Sequence, residues 1–343
     1  MATTQSAPPL SPEQLLMQLG TGYWASMILS VATRLDLLEG LAGAPASAAQ
    51  LAAGRNYHVE SVERLLRGCA TLGVVRETES GVFALSEMGQ LLLASHLHSL
   101  RDAMIMFTDP GHWNSWYQLE HTVVTGQPAY QKALGVSNVF DYFAAQPEEA
   151  ARFDRSMASM TRAFVGQLKE AYEVGRFAII ADIGGGHGQF LGALLQGAPH
   201  SRGLLFDQAS VVEGAEAELA ALGVSHRVEK VAGSFFDSVP AGADLYLLKH
   251  ILHDWNDEQC AQILHNVAVA MAPGNVLLIA EMLLAEPPQF SPAAMMDLNM
   301  MVMTGGRERT ASQYERLLQE AGLKVQRVLA LNGPYQLVEA VLS

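Results

Sequence analysis

Residues 178–190 read AIIADIGGGHGQF, and their order decides the fold. A hydrophobic run ends in an acid, Asp182. A loop follows with Gly184, Gly185, Gly186 and Gly188, and an apolar run resumes from Phe190 to Leu195. Strand, glycine turn and helix form the opening unit of a doubly wound α/β sheet. Glycine has no Cβ, so a ligand can lie directly on the backbone of such a turn. The spacing D-x-G-x-G-x-G differs from the G-x-G-x-x-G of dinucleotide sites, where a helix N-terminus faces a pyrophosphate. Here an acid precedes the turn, which suits a ligand with cationic groups. S-adenosylmethionine carries an ammonium and a sulfonium and no phosphate, so the motif points to it.

Outward from this turn, apolar runs at 177–182, 203–207, 227–232, 244–249 and 276–281 read as strands, with helical segments between most of them. Two late strands, near 324–330 and 335–341, flank Asn332-Gly333-Pro334 in the manner of a hairpin. The pattern predicts an α/β, doubly wound, Rossmann-like sheet of seven strands with one antiparallel edge. Ligands of such sheets sit at the carboxyl ends of the strands. The residues there are Asp182, Asp207, Ser234, Lys249 to His253, and Glu281. Asp207 closes LLFD, where an acid can accept both ribose hydroxyls of an adenosine.

Upstream the rhythm changes. Residues 1–10 are polar with two prolines and read as disordered. Ser11-Pro12-Glu13 reads as a capped helix start, followed by one apolar helical run through Leu38. Ser47 caps a short helix to Ala53, residues 54–56 turn, and a second helix spans 59–72. Strands at 74–77 and 82–85 follow, which completes a winged-helix pattern. A DNA reader would show a basic face on the second helix, but Glu60 and Glu63 offset Arg64 and Arg67. The module therefore reads as a structural or dimerising element. Residues 100–170 are helical and rich in Met, Phe, Trp and Tyr, which serve as core and could also wall a flat apolar pocket. The division is 11–100 for dimerisation, 101–170 for a helical connector contributing to an acceptor pocket, and 171–343 for cofactor binding and catalysis.

Composition narrows the partners. Among 343 residues half are hydrophobic and the formal net charge is -14, against affinity for nucleic acid or an anionic membrane. Cys69 and Cys260 stand far apart, without metal or disulfide spacing. No basic n-region with an apolar h-region and no apolar stretch long enough for a bilayer is visible, so the expectation is a cytoplasmic protein.

After the fourth strand comes Lys249-His250-Ile251-Leu252-His253-Asp254-Trp255. A metal site from His250, His253 and Asp254 lacks a further ligand pair, and no metal is expected. A histidine packed without chemistry is the plain alternative. The third reading is a general base, since a neutral imidazole can take the proton of a phenol as its oxygen attacks. Such a base needs an acid on its other nitrogen, and Glu281 and Glu308 are the candidates.

DIGGGHG, LLFD, KHILHDW, LLIAE and GGRERT, in this order behind the N-terminal module, resemble the plant-type S-adenosylmethionine-dependent O-methyltransferases. That family includes caffeic acid and hydroxyindole O-methyltransferases and a bacterial natural-product branch, and the resemblance covers the chain from about residue 12. It implies a class I methyltransferase sheet with an N-terminal dimerisation domain, a homodimer, and a methyl transfer to a small aromatic hydroxyl that leaves S-adenosylhomocysteine. By resemblance Asp182, Gly184, Gly186, Gly188, Asp207, Ser234, Phe235 and Lys249 line the cofactor. His253 is the base, flanked by Glu281 and Glu308. Met157, Met160, Asp254, Met296, Met300 and Met303 face the acceptor. The chain departs at Ser234, where many members carry an acid for the adenine; a serine offers a weaker, neutral hydrogen bond. Two alternatives remain: a relative that hydroxylates or decarboxylates, and a ligand-responsive DNA-binding regulator.

Overall fold

A computed structural model describes residues 10–136 and 139–343. Residues 1–9, the bulk of the segment expected to be disordered, lie outside the described residues. The chain forms two compact units: one up to Trp113 together with Glu148–Met157, the other Asn114–Pro147 together with Ala158–Ser343.

The first unit opens with a capping box. Ser11 Oγ accepts from Gln14 N at 3.3 Å while Gln14 Oε1 accepts from Ser11 N at 2.9 Å, and Pro12 fills the first turn of the helix Pro12–Gly20. The single run expected through Leu38 is instead two helices, Pro12–Gly20 and Gly22–Arg34, bent by 42°. Thr21 sits between two glycines, and its hydroxyl donates at 2.8 Å to Met17 O, a carbonyl that also takes the helical bond from Thr21 N at 3.1 Å. No single helix among the described residues is long and apolar enough to cross a membrane; only this bent pair passes by length and composition taken together.

The helices Ala48–Ala52 and Val59–Thr71 follow, and Ser47 caps the first as expected. Strands β2 (Val75–Glu79) and β3 (Val82–Leu85) then form the hairpin. A two-residue strand, β1 (Ala46–Ser47), adds to β3 to give the order β1-β3-β2. Two residues are too few to show a period, so β1 is invisible in the sequence. Leu37, Leu38, Leu66 and Phe83 make the core of this unit. Buried Asp109 pairs with Arg34 at 3.0 Å and with Arg152 at 2.8 Å, which joins three segments of the unit.

The second unit is a seven-stranded sheet. Its strands are β4 (Ile179–Ile183), β5 (Arg202–Asp207), β6 (Val228–Ala232), β7 (Leu245–Lys249), β8 (Val276–Glu281), β9 (Leu323–Ala330) and β10 (Gln336–Leu342). The order is β6-β5-β4-β7-β8-β10-β9, with β10 antiparallel to both neighbours and the rest parallel. The strands alternate between two cores. Leu245 and Leu247 face Leu191, Leu194 and Leu195. Tyr246 and Leu248 face Ile263, Leu264, Tyr314 and Leu317. Helices on both faces are what a parallel sheet needs to bury its strands. The chain winds outward from β4 to β6 and then returns to the other side of β4 for β7 and β8. A crevice therefore opens at the carboxyl ends of β4 and β7.

Candidate active site

The glycine turn leaves β4 with positive φ at three positions: Gly184 (72°), Gly186 (59°) and Gly188 (77°). L-residues with a side chain avoid this region, so the turn requires glycine for its shape. A Cβ on Gly186 would meet nothing within 4 Å, so its face is open. A Cβ on Gly185 would stand 2.7 Å from Asp182 Oδ2. Asp207, closing β5, ties the loop down: Oδ2 accepts from Gly186 N at 2.8 Å and Oδ1 accepts from Gln208 N at 2.7 Å. Its remaining lone pairs would be the ones left for ribose hydroxyls.

Asp182 is buried, and its Oδ2 has no hydrogen-bond partner. Burial pushes its carboxyl up to about 7, with Lys249 opposing and Asp207 adding to the rise. Lys249 closes β7, and its Nζ lies 5.7 and 5.9 Å from the ring centroids of Phe190 and Phe164. Burial lowers its ammonium, and Asp182 and Glu281 act against this. Beyond β6, Ser234 Oγ accepts from Phe236 N at 3.2 Å and so turns its own loop. Phe235 packs edge-on against Trp255, 6.0 Å between centroids, and comes within 3.5 Å of where a Gly184 Cβ would be. Phe235 and Ile251 thus converge on the glycine turn; Ile251 carries no chemistry that sequence alone would single out.

An orphaned buried carboxylate oxygen, an open glycine backbone and a half-buried aromatic edge at the switch point fit S-adenosylmethionine. Asp182 and Lys249 would hold its charged end, Asp207 its ribose and Phe235 its ring.

The second half of the crevice is acid and imidazole. His253 lies in the short 3-10 turn Leu252–Asp254 and is buried. Its Nδ1 lies 2.9 Å from Glu308 Oε1 and 3.5 Å from Glu281 Oε2. A carboxylate only accepts, so Nδ1 carries a proton and Nε2 is the nitrogen left for an acceptor. The two acids divide the work. Glu308 holds the ring, while Glu281 Oε1 accepts from Ile251 N and Leu252 N, both at 3.1 Å, and holds the backbone leading to the ring. Asp254 Oδ1 is 3.9 Å from Nε2. Burial alone would lower the His253 imidazolium, but Glu281, Asp254 and Glu308 outweigh it and push it up to about 10. Glu281 moves up to about 7, chiefly by burial. His253, Glu281 and Glu308 also bring three donor atoms within 4.8 Å of one another, a set that could hold a metal ion. It is a different set from the His250, His253 and Asp254 combination considered from sequence.

His250 adopts φ 55° and stacks on His253 with centroids 5.2 Å apart. Burial, Lys249 and His253 all lower it, so it stays neutral. On the helix Pro292–Met303, Met300 is buried and Met296 packs against the core of this unit. Met303 is half-buried. Asp297 of the same helix accepts from Glu308 N at 2.9 Å, a support that sequence does not reveal. Met157 and Met160 are half-buried on the helix Pro147–Ala171; Met157 counts with the first unit and Met160 with the second.

A doubly wound sheet with a glycine turn and an acid-clamped imidazole defines an α/β transferase that works on a nucleotide-type cofactor. A family model described as the O-methyltransferase domain matches residues 116–324, and one for the O-methyltransferase dimerisation domain matches residues 17–95. The chain is 36% identical over 334 residues to phenazine O-methyltransferase PhzM of Lysobacter antibioticus, covering 97% of each. It is 34% identical to the mitomycin biosynthesis 6-O-methyltransferase of Streptomyces lavendulae, covering 97% and 96%. The crystal structure of human N-acetylserotonin methyltransferase in complex with SAM superposes with a TM-score of 0.88 at 25% identity, covering 100% of both chains. The chain belongs to the O-methyltransferase family and is an S-adenosylmethionine-dependent enzyme of the secondary-metabolite type.

Proposed function

We propose that this enzyme methylates a hydroxyl of a small planar aromatic compound, a phenolic secondary metabolite, with His253 as general base. The observation that carries the reading is the buried His253, its Nδ1 held by Glu308 at 2.9 Å and its Nε2 3.9 Å from Asp254 Oδ1. The donor supplies an electrophilic methyl on sulfonium. The protein's part is to align the acceptor oxygen and to manage one proton, and alignment alone is worth several powers of ten in rate.

The proton balance is favourable. A phenol has a pKa of about 10, and three carboxylates hold the His253 imidazolium in the same range. Transfer of the phenolic proton to Nε2 is therefore close to level in energy. Glu308 and Glu281 stabilise the imidazolium that results, and Asp254 stands beside Nε2 to orient the hydroxyl. Near neutral pH His253 rests as the imidazolium, so it acts as the base only after Nε2 has released its proton to solvent, and the rate should rise with pH toward 10. Met296, Met300 and Met303, with Met160 of the same unit, supply the soft apolar wall for a flat ring. Asp182, Gly184, Gly186, Gly188, Asp207, Ser234, Phe235 and Lys249 carry the cofactor, Ser234 with a neutral contact in place of an acid.

The division is 11–100 as a winged-helix dimerisation module, 101–170 as connector and acceptor wall, and 171–343 as the catalytic unit. The active form is a cytoplasmic homodimer. The phenazine and N-acetylserotonin named for its relatives support an aromatic acceptor, and the family match disfavours hydroxylation, decarboxylation or DNA regulation. The test is incubation with methyl-labelled S-adenosylmethionine and a panel of mono- and polycyclic phenols, with mass spectrometry of the products. Label on a phenolic oxygen is expected. Label on nitrogen or carbon, or oxidised and decarboxylated products without label, would overturn the reading.

A further inference from the structure

We propose that Arg309, together with Gly306, is a positioning residue that fixes the height and tilt of the His253 imidazole; this rests on the reading of His253 as the base. Arg309 is 0% exposed. A guanidinium keeps its charge at any ordinary pH, and burying it is costly unless its N–H groups find acceptors. Its acceptors are concentrated around the turn that carries the base. Nη1 donates to Leu252 O at 2.8 Å, and Nη2 donates to Trp255 O at 2.8 Å. Nε and Nη2 also donate to Asp257 Oδ1, at 3.0 and 2.8 Å. Asp257 opens the helix Asp257–Ala270, which anchors the fork to a rigid element.

The neighbours of Arg309 complete the grip. Arg307 N donates to His253 O at 2.8 Å. Gly306 lies so close that a Cβ there would run into His253 O and stand 2.7 Å from the carbonyl carbon of Asp254. Glu308, between the two arginines, takes the ring itself. Residues 306–309 therefore hold the backbone carbonyls of Leu252, His253 and Trp255 and the imidazole Nδ1 at once. The turn does little to hold itself: its own bonds, Asp254 N to Ile251 O and Trp255 N to Leu252 O, are long at 3.2 and 3.3 Å. A lysine at 309 would bring the charge but only a point donor, not a fork that reaches both carbonyls.

The test compares Arg309→Lys and Gly306→Ala with the wild type. The readouts are S-adenosylmethionine affinity by calorimetry, the Nδ1–H proton and titration midpoint of His253 in 15N-histidine-labelled protein by NMR, and single-turnover methylation of the phenol found by the labelling experiment. A base displaced by about 1 Å costs roughly 10²-fold in rate, so turnover should fall by about that factor while affinity for S-adenosylmethionine stays within about twofold. The Nδ1–H signal should shift or vanish and the midpoint should drop, because Glu308 and the ring no longer meet in register. If either variant binds S-adenosylmethionine normally and keeps the signal, midpoint and rate, the proposal fails. It also fails if affinity and rate fall in proportion in both variants, which marks a general role in folding. The NMR readout needs no acceptor. A moved signal beside full activity of His253→Ala would sink the base and leave the positioning; an unmoved signal beside an inactive His253→Ala would do the reverse.

Discussion

Asp182 illustrates how one side chain couples cofactor, proton and fold. It is buried with one oxygen unpartnered, and burial raises its carboxyl to about 7. An acid raised in the folded state binds more protons there than in the unfolded chain between its usual range and about pH 7. Folded stability therefore falls as pH rises through that window on account of this residue. A cationic ligand reverses the preference, since it favours the carboxylate. S-adenosylmethionine should bind with release of a proton below pH 7, and its affinity should rise by up to about tenfold per pH unit until pH 7 and then level off. Asp182→Asn should flatten this profile, weaken binding at pH 8, and make the ligand-free protein more stable at pH 8. Calorimetry in two buffers of different ionisation enthalpy, with urea unfolding alongside, measures all three. An unchanged pH profile in Asp182→Asn would show that another group carries the linkage. His253 and Glu281 were legible because HDW and a strand end place them, and Glu308 because GGRERT carries it. The choice between Glu281 and Glu308 was not legible, since it depends on which oxygen reaches Nδ1. Arg309 was present in GGRERT, but nothing in a linear motif shows that its fork closes on Leu252 and Trp255.

At the scale of elements, strands were read well where apolar runs end in acids or lysine: β4, β5, β7 and β8 lie within two residues of their expected bounds. These runs are buried on both faces, which is the strongest signal a sequence carries for a parallel sheet. The late hairpin was also legible through Asn332-Gly333-Pro334. What sequence does not show is that β10 inserts between β8 and β9, because neighbour choice depends on long-range pairing rather than local pattern. The break at Thr21 was missed for a different reason. The apolar period continues across it and does not register Gly20 and Gly22, the flanking glycines at which the first helix ends and the second begins. The helix Pro292–Met303 shows the opposite case. Its three methionines were legible as a face, while Asp297, which accepts from Glu308 N, lies off that face and had no reason to be chosen.

For the whole molecule, the distribution of apolar surface is the outstanding feature. In the first unit the bent helix pair leaves Leu16 at 69%, Met17 at 68%, Leu19 at 66% and Trp24 at 56% exposure. Large apolar side chains exposed together on one pair of helices point to an interaction surface, and the match to a dimerisation domain over residues 17–95 covers part of it. Leu16→Glu should turn a dimer into a monomer in sedimentation velocity while S-adenosylmethionine binding persists. A monomeric wild type, or an unaltered dimer in the variant, would place the interface elsewhere. The role of His253 is tested most directly by His253→Ala in single turnover, with S-adenosylmethionine affinity measured on the same preparation. A rate lower by about 10²–10⁴-fold with affinity nearly unchanged is expected of a general base. A rate close to wild type, or a loss of rate matched by the loss of affinity, would contradict it.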